Sequence, residues 1–172
     1  MVLHNISWET YESILADHAS FSSPRFTYDR GELEIRGPRP EHESANFSIT
    51  QAMIIFAEYH RIEFESFGAT TFRREDLERG FEADSCFYFR NEAHVRDMDT
   101  FDPSVDPPPD VVVEVDITHS SLPKHGVFAA LGIPEVWRYD GSRLAILSLT
   151  GSKYVEIEES WELPGMSAAL MT

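Results

Sequence analysis

The sequence is poor in cysteine, and it contains no long apolar run. Only one cysteine, Cys86, occurs in 172 residues, which excludes internal disulfide bonds and a cysteine-based zinc site. No apolar stretch approaches the roughly 20 residues needed to cross a bilayer, so a membrane-spanning segment is excluded. The first residues lack the basic and apolar regions of a signal peptide. Together with the single cysteine, this favours a reducing, cytoplasmic setting.

Positive charge is also scarce. Thirty Asp and Glu residues stand against fourteen Lys and Arg, which gives a formal net charge of -16, and the only lysines are Lys124 and Lys153. Nucleic-acid-binding domains usually carry a basic surface, so any contact with DNA must overcome a negative overall field. The other cationic side chains are arginines, whose planar guanidinium suits bidentate contact with carboxylates and phosphates.

The chain does contain enough apolar material for one folded domain. Hydrophobic residues make up 42% of the sequence and aromatic residues 12%, which is typical of a globular protein with a packed core. No internal repeat divides the chain. We therefore expect a single domain over residues 1–172.

Hydrophobic periodicity predicts an alternation of helices and strands. A first helix begins at Ser7, and a central helix over residues 41–61 is apolar around most of its circumference, so we expect it to pack between other elements. A short helix is predicted over residues 122–131, and residues 94–109 are predicted to form a polar, proline-broken surface loop. Strands are predicted over residues 26–28, 32–36, 62–67, 70–73, 84–90, 110–117, 135–139, 143–149 and 154–158.

Acidic residues share one face of the strand predicted over residues 110–117. Side chains alternate along a strand, so Glu114 and Asp116 lie on the same side, and Asp84 can meet Glu114 if the two strands pair. Adjacent like charges on a buried strand are costly unless a cation binds or a proton is taken up. Hard oxygen ligands, with the main-chain carbonyl of Val115 as a further donor, favour Mg²⁺ or Mn²⁺.

Lys124 is one of the two lysines, and it lies ten positions after Glu114. At the start of the next predicted helix it can reach the same site, where it would stabilise negative charge or orient an attacking water. The alternative for Lys124 is an exposed lysine in a first helical turn. The alternative for Glu114 is a structural ion pair with an arginine such as Arg138, and Asp110 after a proline is expected to be a turn or cap group.

Three blocks of sequence resemble the bacterial Uma family, whose members are described as restriction endonucleases of the PD-(D/E)xK nuclease superfamily. The blocks are residues 81–88, FEADSCFY, residues 108–115, PPDVVVEV, and Lys124 with residues 128–137, FAALGIPEVW. The resemblance implies an α/β fold with a restriction-endonuclease-like core, in which helices flank a central mixed β-sheet. It also implies Mg²⁺- or Mn²⁺-dependent cleavage of phosphodiester bonds in DNA.

The resemblance further implies roles for individual residues. Asp84 and Glu114 match the two acids of the motif and would bind the metal, and Glu43 on the central helix matches the auxiliary acid that orients a water. Asp116 stands where the standard motif has lysine, so the resemblance implies that Lys124 supplies the amine. The catalytic residues predicted in this way are Asp84, Glu114, Lys124 and Glu43.

Two functions stay open at this point. The first is a metal-dependent endonuclease, expected to be a homodimer because cutting both strands of a duplex needs two sites. The second is a catalytically inactive binding module of the same fold, which the net charge of -16 and Asp116 in place of lysine favour. A thiol hydrolase built on Cys86 is not expected, because this residue lies in mid-strand among aromatic side chains.

Overall fold

The computed structural model describes residues 1–37, 39–103, 105–117 and 122–171. The helices are α1 (Trp8–His18), α2 (Pro40–His60), α3 (Glu92–Val95) and α4 (Lys124–Ala130). The strands are β1 (Val2–Leu3), β2 (Arg25–Asp29), β3 (Glu32–Arg36), β4 (Glu65–Ser66), β5 (Thr71–Arg74), β6 (Arg79–Glu82), β7 (Ser85–Tyr88), β8 (Val111–Val115), β9 (Glu135–Tyr139), β10 (Leu144–Thr150) and β11 (Lys153–Ile157). Two short 3-10 helices cover Glu75–Leu77 and Ala168–Leu170.

A six-stranded mixed sheet forms the centre of the molecule, as predicted. Its strand order is β11-β10-β9-β8-β7-β4, in which β8 and β9 run parallel and the other neighbours are antiparallel. The valines of β8 explain its position: Val111, Val113 and Val115 pack in one cluster with residues of α2, and Val112 packs on the opposite face with residues of α4. A strand covered on both faces needs such a continuous apolar run.

A second sheet, which the sequence did not reveal, contains the first hairpin. Its five strands have the order β1-β3-β2-β6-β5, and the hairpin predicted around residues 26–36 is formed by β2 and β3. Strand β6 was missed because it is short and contains Gly80. That glycine is required, since a Cβ there would clash with the hydroxyl of the buried Tyr11 side chain. Helix α1 packs on this sheet through Tyr11 and Leu15.

The helices begin close to the predicted positions, but α2 is packed differently from the expectation. Ser7 caps α1 by accepting a hydrogen bond from the main-chain N–H of Thr10 at 3.2 Å. In α2 one face is buried against the central sheet, whereas Phe47, Ile55 and Tyr59 are 66%, 62% and 81% exposed. The prediction that α2 is enclosed between other elements was therefore wrong, because the helix lies on the outside of the sheet.

The shorter predicted segments are also adjusted. The helix predicted over residues 122–131 covers Lys124–Ala130, and α3 (Glu92–Val95) runs into the loop predicted over residues 94–109, of which Ser104 lies outside the described residues. No helix in the described part of the chain is both long and apolar enough to cross a bilayer.

Candidate active site

Asp84 and Glu114 meet where the chain crosses from the second sheet into the central one. Strands β7 and β8 pair with Ser85 opposite Val113, which places Asp84, just before β7, opposite Glu114. The Oδ2 atom of Asp84 accepts the main-chain N–H of Val115 at 2.7 Å. Both acids are buried, with 6% and 3% of their surface exposed. The structure thus brings together the two carboxylates that strand parity placed on one face.

Arg36, at the end of β3, lies between these two acids. Its Nη2 atom is 3.3 Å from each carboxylate oxygen of Asp84 and 3.0 Å from Oε1 of Glu114. Its Nη1 atom donates to the main-chain carbonyl of Val115 at 3.1 Å. Burial alone would lower the pKa of Arg36, but the carboxylates of Glu114 and Asp84 outweigh it and raise that pKa above its usual value. The guanidinium is therefore permanently charged.

Arg25 connects Asp84 to Glu43. It pairs with Arg36 across the β2–β3 hairpin, so the open end of the hairpin points two guanidinium groups at the same carboxylate. Arg25 donates to Oδ1 of Asp84, to the carbonyl of Ala83 at 3.2 Å, and to Oε1 of Glu43 at 3.2 Å. The Glu43 side chain is 53% exposed. Glu43 thus reaches the site through Arg25 and stands at its solvent-facing edge.

Lys124, the first residue of α4, forms an ion pair with Oε1 of Glu114. Only 7% of its side chain is exposed, so the alternative of an exposed lysine is wrong. Arg138 is not the partner of Glu114, because it contacts Asp116 at 3.0 Å. The alternative of an ion pair between Glu114 and an arginine is nevertheless met, by Arg36 at 3.0 Å. The partners of Glu114 are Arg36, which enters from the second sheet, and Lys124, which enters from the helix over the central sheet.

The environment of Glu114 fits a cation. Its Oε2 atom is buried and has no hydrogen-bond partner among the described residues, and such an oxygen is costly to leave unpaired. Burial raises the pKa of Glu114, and the carboxylate of Asp84 adds to this effect, while Lys124 and Arg36 oppose it. Two carboxylates and the carbonyl of Val115 form a hard-oxygen donor set of the type that Mg²⁺ accepts.

The donor set is nevertheless small. In the described part of the chain, no group of three or more His, Cys, Asp and Glu side chains could hold a metal ion. A divalent cation would therefore depend on Asp84, Glu114, the main chain and water. A cavity of about 220 Å³ lies beside Glu114 and Lys124, and its walls include Asp116, His125 and Arg138. This cavity reaches Glu114, whereas Asp84 is not part of its walls.

Two residues of α2 complete the surroundings. Asn46 donates its Nδ2 hydrogens to the carbonyl of Asp84 at 3.2 Å and to Oγ of Ser85 at 3.0 Å, which ties the helix to the strand crossing. His42 is 3% exposed. Burial and the charge of Arg36 lower the pKa of His42 and favour its neutral imidazole.

Sequence reasoning missed Arg25, Arg36 and Asn46. The two arginines flank the predicted hairpin and pair across its open end, a signal that is present in the sequence, but their direction toward Asp84 depends on how the two sheets meet.

Other predictions hold. Asp110 accepts hydrogen bonds from the N–H groups of Phe89 and Asn91 and is structural. Burial raises the pKa of the Cys86 thiol to about 12, which excludes a reactive thiolate.

Comparison with known proteins identifies a family, and solved structures of similar fold are found as well. The model of the Uma2 family, described as "Putative restriction endonuclease", matches residues 8–169. A solved structure described as "a putative nuclease belonging to DUF820 from Anabaena variabilis ATCC 29413" has a TM-score of 0.56 and 10% sequence identity, covering 85% of this chain and 86% of that one. At this identity the likeness shows the fold. No curated protein matches the chain.

Proposed function

This chain belongs to the Uma2 family, and from that premise we propose that it is an endonuclease that hydrolyses phosphodiester bonds of DNA with a divalent metal ion, Mg²⁺ or Mn²⁺. One observation carries the proposal: Asp84 and Glu114 are buried side by side, next to the carbonyl of Val115, and Oε2 of Glu114 has no partner among the described residues. That arrangement of oxygens supports a metal site at the junction of the two sheets.

The roles of the residues follow from their positions. Asp84 and Glu114 would hold the cation, which when bound supplies a Lewis acid for the phosphoryl oxygen and lowers the pKa of a water. Lys124 beside Glu114 would stabilise the negative charge that develops on the phosphate. Glu43, at the solvent-facing edge, would orient the attacking water and accept its proton. Arg25 would keep Glu43 aligned with Asp84, since its guanidinium touches both carboxylates.

A catalytically inactive binding module of the same fold is the second candidate. It is favoured by the ion pairs of the site, because Arg36 and Lys124 neutralise both acids with the protein's own cations. Asp116 at the usual lysine position and the net charge of -16 favour it as well.

The proposed endonuclease acts as a homodimer, since a duplex has two strands to cut, and a cytoplasmic setting is consistent with one buried thiol.

The test is cleavage of supercoiled plasmid and of single-stranded DNA by the wild type and Glu114→Ala, each with Mg²⁺, with Mn²⁺ and with EDTA. We expect cleavage that requires the metal and falls by at least about 100-fold in Glu114→Ala, because one of two metal-holding carboxylates is lost. The matched control is Glu156→Ala, which removes an exposed carboxylate that pairs with Arg143 and should leave cleavage unchanged.

Two outcomes would contradict the endonuclease. Cleavage by Glu114→Ala at the wild-type rate would remove Glu114 from the mechanism. A folded wild type that cuts neither substrate and binds neither metal would favour the inactive module.

A further inference from the structure

Arg36 touches every protein group that the proposed metal site offers. Its two terminal nitrogens lie 3.3 Å from both oxygens of Asp84, 3.0 Å from Oε1 of Glu114 and 3.1 Å from the carbonyl oxygen of Val115. Arg25 shares only Asp84 with this set, and Lys124 shares only Glu114. The planar guanidinium of Arg36 is thus the only one of these three cationic groups that spans the complete donor set.

The charge balance makes a second cation at the same oxygens unfavourable. Two buried carboxylates already face three cationic side chains, those of Arg25, Arg36 and Lys124. A divalent ion on the same oxygens would lie within a few ångströms of the guanidinium in a buried environment, where screening by solvent is weak. Glu43, Glu34 and Asp116 offset part of this positive charge, but the ion and the Arg36 guanidinium need the same groups, Asp84, Glu114 and the Val115 carbonyl. They cannot contact these groups at the same time, so Arg36 must leave when the ion binds.

Arg36 has a route out of the site, because its position in the fold differs from that of Lys124. It is the last residue of β3, at the open end of a hairpin in the second sheet, and its side chain is 13% exposed. Lys124 is 7% exposed and belongs to the helix packed on the central sheet. Rotation of the Arg36 side chain can therefore free the oxygens while β7, β8 and Lys124 stay in place.

We propose that Arg36 is an internal competitor for the metal ion: its guanidinium holds the place of the cation between Asp84, Glu114 and the Val115 carbonyl, and a divalent ion binds only by displacing it. Arg36 thereby sets the metal concentration at which the site fills. This inference rests on the proposed metal site, but it concerns binding and is tested without cleavage.

The experiment is a titration of the full-length chain with Mn²⁺, followed by the electron paramagnetic resonance signal of the free ion. We expect Arg36→Gln to bind Mn²⁺ at least about tenfold more tightly than the wild type. Arg25→Gln is the matched control, because it also removes a positive charge from Asp84 but leaves Glu114 and the Val115 carbonyl untouched; its gain in affinity should be smaller than that of Arg36→Gln. The double variant Arg36→Gln/Glu114→Gln should lose the gain, which separates this site from Mn²⁺ bound elsewhere on an acidic surface.

The melting temperature of Arg36→Gln, measured with and without MnCl₂, shows whether this variant folds. Removal of Arg36 leaves the two acids poorly compensated, so Arg36→Gln should melt at a lower temperature than the wild type without metal and should recover more of its melting temperature when MnCl₂ is added. If Arg36→Gln does not fold, Arg36→Lys replaces it, since a single ammonium keeps the charge but cannot span the three groups. The affinity of Arg36→Lys for Mn²⁺ should be higher than that of the wild type and lower than the value expected for Arg36→Gln.

Three results would overturn the inference: equal Mn²⁺ affinity in the wild type and the Arg36 variant, no Mn²⁺ binding in either protein, or an equal gain in Arg25→Gln. The endonuclease proposal fails separately. If Arg36→Gln binds Mn²⁺ more tightly but neither the wild type nor this variant cleaves DNA, the competition by Arg36 is supported and the endonuclease is contradicted. If the wild type shows Glu114-dependent cleavage but Arg36→Gln gains no affinity for Mn²⁺, the endonuclease is supported and the competition is contradicted.

Discussion

At the scale of single residues, Glu114 is the group whose surroundings matter most for the chemistry. It is buried, it shares its site with Asp84, and burial raises its pKa. Arg36 and Lys124 act in the opposite direction and favour the ionised form. The charge state of this one carboxyl therefore depends on one cationic partner from the second sheet, Arg36, and one from helix α4, Lys124.

Lys124 carries a prediction at this scale. Its replacement by Met leaves Glu114 buried with one cation fewer, and breaking a buried ion pair in this way costs about 3–5 kcal/mol. We therefore expect Lys124→Met to lower the free energy of unfolding, measured in urea at pH 7, by about 3 kcal/mol. The double variant Lys124→Met/Glu114→Gln should regain part of that loss, because the uncompensated carboxylate is removed as well.

The pH dependence gives the control for Lys124→Met. Without the lysine, the pKa of Glu114 in the folded protein rises further above its unfolded value. A raised pKa means that stability is present at low pH and is lost as the pH rises through the folded pKa. The loss of stability caused by Lys124→Met should thus be largest at neutral pH and become smaller as the pH is lowered. A deficit that is independent of pH and of Glu114 would contradict the ion pair.

At the scale of elements, the hairpins determine which side chains reach the centre of the molecule. The β2–β3 hairpin delivers Arg25 and Arg36, and the β9–β10 hairpin continues the central sheet beyond β8. The β9–β10 turn is held by Asp140, whose carboxylate accepts the main-chain N–H groups of Ser142 and Arg143, each at 2.9 Å. These bonds satisfy the turn without any long-range contact.

The Asp140 turn gives a prediction with a definite sign. The N–H and hydroxyl of Ser142 lower the pKa of Asp140 to about 2. A lowered pKa means that the stabilisation is present above the unfolded pKa, about 3.9, and is lost as the pH falls toward the folded value. We expect Asp140→Ala to unfold at a lower urea concentration than the wild type at pH 7, and the gap should narrow as the pH falls below about 5.

The matched variant for this turn is Asp140→Asn. An asparagine keeps an oxygen that can accept from Ser142 and Arg143 but has no charge to titrate. It should retain part of the stability at pH 7 and show no pH-dependent difference from Asp140→Ala. If the free energy of unfolding of Asp140→Ala stays below that of the wild type by the same amount down to pH 2, then the charge of Asp140 does not stabilise the turn.

At the scale of the whole molecule, the net charge of -16 opposes association with DNA and with a second copy of the chain. The proposed homodimer should therefore be stronger at high salt, where the repulsion between two acidic chains is screened over about 3 Å instead of about 10 Å. Sedimentation at about 0.1 M and about 1 M NaCl measures this. We expect the mass of two chains, with a larger dimer fraction at the higher salt; a single-chain mass under both conditions would remove the dimer.

Much of the architecture could be predicted because it depends on local patterns. The alternation of apolar and polar residues and the β-branched run at 111–115 were sufficient for the central strand. Parity along that strand showed that Glu114 can meet Asp84 on the condition that the two strands pair. The separation into two sheets was not predictable in this way, since β1 and β6 are too short to show a period. The exposed face of α2 was missed for a related reason: composition shows that a helix is apolar, but not how many of its sides are covered.

Local patterns and motifs in the sequence were enough for the α/β class, for the face shared by Glu114 and Asp116 and for the family resemblance, because each rests on residues close together in the chain. The pairing of β7 with β8 and the choice of the cations that face Asp84 and Glu114 come from tertiary packing. Arg36 contacts Val115 across 79 positions of the chain, and its direction depends on the angle at which the second sheet meets the central one. Such a contact is set by the packing of whole elements, which no local periodicity records.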